Sequence, residues 1–224
     1  MKVSYQQNLI RLFFCVYMLG IYFISYRYQL MLLNGLLAYI PIELSFWLKS
    51  KKPKSNWFFG SIGLVWLLFF PNIPYLLTDL VHLSWLRPYI PGSFSLVNAP
   101  NIWKDFYLLL VGVIGFLVIG YHSLKALGEV LTQRFPQLPK YFEHFFYMFI
   151  CAISSFGIYL GRFSRLHTIY LLTDPVASGK AILDTFEPNM YLFMLGFTIL
   201  QIILFYTITF VNLSAPSNDQ IKNI

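Results

Sequence analysis

The chain has 224 residues, 58% of them hydrophobic and only 11% charged, with a mean hydropathy of +0.63. Soluble domains carry about 25% charged residues, so this composition excludes a soluble enzyme of this length and points to a bilayer. The net charge of +7 does not indicate a nucleic-acid partner, because the basic residues cluster in short loops beside apolar runs.

Lys2 and Arg11 precede an apolar run from Leu12 to Ser25. No small-x-small cleavage site follows, and the run ends in Tyr26-Arg27-Tyr28, so it reads as a retained first span. A spanning helix needs ~20 mainly apolar residues. The segments that qualify are about 8–26, 28–48, 57–77, 102–124, 144–161 and 189–212. The predicted fold class is therefore all-α, a polytopic transmembrane helix bundle of about six spans. Its third helix is broken by proline, and a short amphipathic helix follows it at the outer face. Residues 1–213 are read as one transmembrane helical domain and 214–224 as a polar tail. Cys15 and Cys151 fall in apolar runs and are read as small hydrophobes, not as a disulfide or a zinc site.

The loop KSKKPKSN, Lys49 to Asn56, carries four lysines and marks its side as cytoplasmic. Six spans then put both termini inside a cell membrane, with ten Lys and Arg on the inner side and six on the outer. The loops 78–101 and 162–188 both fall on the extracytoplasmic side. The linker Thr132 to Phe145, basic and aromatic, reads as interfacial on the cytoplasmic face.

The third span ends in FFPNIPYLLTDLVHL, Phe69 to Leu83. Pro71 and Pro74 lack backbone N–H groups and disrupt a helix, and in hydrocarbon a freed carbonyl needs another partner. Asn72 is placed to supply one, or to cap a new helix. At ~100° per residue, Tyr75, Thr78, Asp79 and His82 share one stripe. Asp79 and His82, three apart, are side-chain neighbours. That spacing suits a structural pair, an acid/base pair, or half of a metal site. A zinc site needs at least three protein ligands, and no HExxH or CxxC spacing supplies them.

A second polar concentration is GIYLGRFSRLHTIYLLTDP, Gly157 to Pro175. Arg162 and Arg165, three apart, offer planar donor forks for phosphate or carboxylate, with His167 close behind. The competing reading is that they snorkel to lipid phosphates. The pentapeptide Tyr-Leu-Leu-Thr-Asp occurs at both Tyr75–Asp79 and Tyr170–Asp174, with no wider similarity around it. Asn34, Glu43 and His122 are the other polar residues inside spans. An intramembrane carboxylate is a functional candidate by default, but Glu43 near the cytoplasmic end is expected to pair with Lys49 or Lys51.

NGLLAYIPIELS, WLLFFPNIPYLLTDLVHL and SFGIYLGRFSR together resemble a family of bacterial integral membrane proteins, the domain of unknown function 1361. The resemblance spans roughly 30–175. The matching positions are Asn34, Pro41, Pro71, Asn72, Pro74, Tyr75, Thr78, Asp79, Leu80, His82, Gly161, Arg162 and Arg165. It implies about six spans and carries no activity. Where the family pattern runs about RWNSWD, this chain has Arg165-Leu166-His167-Thr168-Ile169-Tyr170, so the family's Asn and Asp become His167 and Tyr170.

Three functional classes follow from the residues. In the first, Asn72, Tyr75, Asp79, His82, Arg162, Arg165 and His167 form an extracytoplasmic site for an anionic, lipid-phosphate-like ligand or lipid-linked substrate. Asp79 and His82 are then its candidate catalytic acid/base pair, and its cofactor is unassigned. The second is a small transporter or channel subunit, with Asn34 and Glu43 lining a path. The third is a structural or partner-binding membrane protein.

Overall fold

The computed structural model describes residues 5–51, 53–166 and 173–211. In chain order its helices are α1 (Tyr5–Ile24), α2 (Leu30–Lys51), α3 (Asn56–Phe69), α4 (Asn72–Thr78), a 3-10 segment (Asp79–Leu86), α5 (Pro100–Arg134), α6 (Phe142–Arg162), α7 (Pro175–Asp184) and α8 (Pro188–Val211). No strand forms among the described residues; Tyr89 and Leu96 make an isolated bridge. Six stretches are long and apolar enough to cross a membrane, namely α1, α2, Asn56–Leu86, α5, α6 and Pro188–Thr209. The fold is thus the expected all-α polytopic type. His167 and the tail 214–224 lie outside the described residues.

The surface of α1 shows why the chain needs lipid. Tyr17 and Ile21 are buried, while Leu9, Leu12, Val16, Leu19 and Phe23 are exposed. In water such a face is an aggregation surface; hydrocarbon accepts it without cost.

The chain divides into two compact units, Met1–Ser123 and Leu124–Ile224. In the first, Phe116 of α5 meets Phe13, Phe14 and Tyr17 of α1 edge-on, and Phe14 stacks on Tyr39 of α2 at 4.0 Å between ring centres. Trp66 of α3 reaches α2 through a hydrogen bond from Nε1 to Ser45 Oγ at 2.9 Å. Between membrane helices there is no hydrophobic drive, so close packing and such bonds hold the contact. Gly120 of α5 lets the fully buried Ile73 of α4 sit against its backbone: a Cβ there would meet Ile73 Cδ1 at 2.8 Å and Cγ2 closer still. Overpacking of this kind costs about 1–3 kcal/mol. Gly120→Val is therefore expected to lower the thermal midpoint in detergent by several degrees, whereas Gly60→Val, with open space around it, leaves it unchanged.

The proline motif interrupts the third helix as expected: α3 stops at Phe69 and α4 begins at Asn72. Pro71 keeps right-handed helical angles, φ −55° and ψ −24°. The Ile73 N–H turns to Phe70 O at 3.0 Å, one residue short of the α-helical partner, and so releases Phe69 O. The Asn72 side chain donates to that carbonyl at 2.9 Å, which is the repair that hydrocarbon demands. Pro71 occupies the cap position of α4 without a side-chain hydrogen bond, so the capping alternative for Asn72 does not occur.

Two expectations about helix limits need correction. α5 continues to Arg134, ten residues past the predicted end at 124, so only 135–141 remain of the supposed interfacial linker. The region 162–188 is not all loop. Asp174 accepts from the Ala177 N–H at 3.0 Å and caps α7, with Pro175 at its first position. Exposed Asp174 thus differs in role from fully buried Asp79, and the repeated pentapeptide does not report equivalent sites.

In the second unit, α6 and α8 pack through a buried polar seam. Gln201 Nε2 donates to Cys151 O at 3.0 Å and to Ser155 Oγ at 2.8 Å, and Thr198 donates to Ser155 Oγ at 2.9 Å. Cys151 is buried and free, as expected of a packing thiol; Cys15 is free and exposed on α1.

Candidate functional site

At Asp79 the helix tightens from α to 3-10 geometry. In a 3-10 helix residues i and i+3 eclipse one another, so the ~100° wheel that predicted the polar stripe no longer applies beyond Thr78. The change brings His82 directly over Asp79, with Nε2 3.6 Å from Oδ1, an ion-pair distance longer than a hydrogen bond. Asp79 is completely buried. Its other oxygen, Oδ2, accepts from Asn34 Nδ2 of α2 at 2.8 Å. The two features that the sequence left separate, the polar α2 position and the proline motif, are one arrangement.

Asp79 and His82 are thus brought together as expected, and Asn34 joins them. Asn72 and Tyr75 are not placed alike. The Asn72 amide is occupied by Phe69 O, and Tyr75 is half-buried with its carbonyl accepting from Thr78 Oγ1 at 2.6 Å.

A second carboxylate stands at the same end of this unit. Asp105 of α5 is buried; its Oδ1 accepts from Ser25 Oγ at 2.9 Å, and its Oδ2 lies 3.5 Å from Arg27 Nη1. Tyr28 joins the two centres. Its backbone N–H donates to Ser25 Oγ at 3.3 Å, and its hydroxyl donates to the His82 carbonyl at 3.1 Å. Burial, with Asp105 adding to it, pushes the Tyr28 hydroxyl above its ordinary pKa, so it remains a donor. Trp85 completes the wall, its ring 4.1 Å from that of His82 and stacked on Tyr28 at 6.3 Å.

One polar network therefore runs through Arg27, Asp105, Ser25, Tyr28, His82, Asp79 and Asn34. Its carboxylates are buried, whereas the Arg27 side chain is 42% exposed and that of His82 16%. Sequence reading missed Ser25, Arg27 and Tyr28 as site residues. Their only signal was a polar SYRY turn between two spans, and nothing in it shows which carboxylates it would meet.

The Glu43 expectation was wrong about its partner. Arg11 of α1 forms a two-pronged ion pair with Glu43, Nε to Oε2 at 3.2 Å and Nη2 to Oε1, and Tyr39 donates to Oε2 at 2.8 Å. Glu43 and the lysines are on one helix, but packing of α1 against α2 brings arginine nearer.

In the second unit, α6 ends at Arg162, and Arg165 lies past the end with φ +51°. The two arginines therefore do not share one helical face, because the left-handed residue turns the chain away. Arg162 is half-buried and Arg165 exposed. Among the described residues no group of three His, Cys, Asp or Glu side chains converges as a metal site would require.

No curated protein and no solved structure is detectably similar to the chain. One family model matches, over residues 33–204, and the match takes in Asn34, the proline motif, Asp79, His82, Asp105 and both arginines. The chain belongs to the family described as Protein of unknown function (DUF1361).

Proposed function

We propose that this protein binds an anionic, lipid-phosphate-like group at the extracytoplasmic surface of the cell membrane, and that His82 exchanges a proton with it. The observation that carries the reading is the buried Asp79 carboxylate, fixed by Asn34 on one oxygen and facing His82 with the other. A carboxylate so placed orients an imidazole and stabilises its protonated form, the arrangement general acid/base chemistry uses. Arg27 is anchored by one nitrogen to Asp105 while its side chain stays partly exposed, which leaves donors of its planar fork for phosphate oxygens. The outer placement rests on the excess of lysine and arginine at the other face. Arg162 and Arg165, in the second unit, are candidate contacts for anionic headgroups.

Native mass spectrometry of the protein released from micelles, with phosphatidylglycerol or phosphatidylcholine added, tests this. Phosphatidylglycerol is expected to be retained preferentially. Arg27→Ala is expected to weaken that retention about fivefold, the worth of one interfacial cation near a charged surface; His82→Ala reduces it as well. Equal retention of both lipids by the wild type, or no change in either variant, overturns the reading.

A further inference from the structure

An apolar groove opens on the outside of the first unit where the end of α1 meets the start of α5. Ile24, Pro100, Trp103, Lys104, Tyr107 and Val111 line it around a volume of about 560 Å³. We infer that this groove holds one acyl chain of a phospholipid whose phosphate sits on Lys104, so that the anionic ligand is a whole phospholipid, not a free headgroup. The inference rests on the proposed anion site and names the molecule that fills it.

Three observations support one occupant. The first is length. From Lys104, where the phosphate sits, to Val111 α5 rises ~10 Å, about two thirds of the ~15 Å hydrocarbon depth of one leaflet. A groove along that stretch takes the upper part of one acyl chain lying parallel to the helix. The second is charge. Lys104 lies in the first turns of α5, and among the described residues no carboxylate is within ion-pair distance of it. The adjacent Asp105 is turned inward to Ser25 and Arg27. A lysine on an otherwise apolar groove in a bilayer calls for an anion at headgroup level. Between Asp79 and Asp105 the sequence has no acidic residue, and Arg87 and Lys104 are its lysine and arginine content.

The third observation is the aromatic surround. Trp103 and Tyr107 are 6.2 Å apart between ring centres, with Phe106 5.8 Å from Trp103. Trp and Tyr settle at the headgroup boundary, which fixes the lysine end of the groove as the headgroup end. Asp105, the next residue of α5, holds Arg27 of the α1–α2 turn through its Oδ2. A lipid seated this way presents its phosphate beside the Arg27–His82 network.

The experiment compares two probes, phosphatidylglycerol and the soluble headgroup sn-glycerol 1-phosphate, on wild type, Lys104→Gln and Val111→Trp. Val111 is half-exposed, so a tryptophan there fills the groove without entering the core. Wild type is expected to bind both probes, the lipid more tightly. Val111→Trp is expected to lose the preference for lipid while keeping glycerol phosphate, and Lys104→Gln to bind lipid about fivefold more weakly. If Val111→Trp binds phosphatidylglycerol like the wild type, the groove assignment falls and the anion site stands. If wild type binds neither probe, both fall. Unchanged thermal midpoints in the two variants show that loss of binding is not loss of fold.

Discussion

Asp79→Ala is expected to lower the thermal midpoint in detergent by about 5–10 °C. The carboxylate is fully buried, and its removal leaves the Asn34 amide without its acceptor and His82 without its counter-charge. Losing a hydrogen bond to a charged group and stranding its partner costs about 2–3 kcal/mol, and for a chain of this size each kcal/mol shifts the midpoint by about 2–4 °C. Asp79→Asn separates folding from chemistry. An amide oxygen still accepts from Asn34, so the fold should survive with a loss of a few degrees at most. The negative charge that orients and stabilises protonated His82 is gone, so preferential retention of phosphatidylglycerol should fall with it. An Asp79→Ala protein as stable as the wild type would show that the network is not what holds the 3-10 segment against α2. An Asp79→Asn protein with unchanged lipid preference would sink the acid/base reading while leaving the structural one intact.

Arg11→Leu should destabilise the protein by about 2 kcal/mol, close to the cost of an uncompensated charge inside a span. Glu43 would retain only Tyr39 as a donor. The double variant, Arg11→Leu with Glu43→Leu, should recover at least half of that loss, because removing both charges removes the desolvation penalty as well as the attraction. Coupling energies between contacting residues run to about 0.5–3 kcal/mol, so a double-mutant cycle in a denaturant titration can resolve the pair. Lys49→Ala and Lys51→Ala serve as controls, since Glu43 pairs with Arg11 instead. A destabilisation from the lysine variants equal to that of Arg11→Leu would contradict the pairing seen here.

These two clusters differ in what they imply. The Arg11–Glu43–Tyr39 group closes on itself: cation, anion and hydroxyl satisfy one another across α1 and α2. A self-neutralising set of this kind fits the insertion of two spans and does not call for a ligand. The Asp79 and Asp105 network ends instead in partly exposed groups, Arg27 and His82, at its surface. That asymmetry, buried carboxylates behind accessible donors, is why the proposed function is placed at one end of the first unit and not at the other.

The sequence by itself determined the class of fold and the position of the spans, apart from the inner end of α5, which runs ten residues past its expected limit. Twenty apolar residues must be helical in a bilayer because no water is there to satisfy the backbone, so composition and length suffice. It also showed that a carbonyl freed by the proline motif would need a donor, and the Asn72 amide provides it. The i, i+3 spacing of Asp79 and His82 was enough to bring them together. What it left open was every polar partner far along the chain. Asn34 lies 45 residues from Asp79, Arg11 lies 32 from Glu43, and Ser25 lies 80 from Asp105. Helix periodicity tells which residues share a face but not which face meets which helix. That choice was made by close packing, by aromatic rings of α1 against α5 and by Ile73 against Gly120. The shift from α to 3-10 geometry at Asp79 coincides with tertiary bonds: Asn34 and Tyr28 reach the segment there, and their hydrogen bonds pin Asp79 and the His82 carbonyl. Local propensity carries no record of bonds donated from another helix.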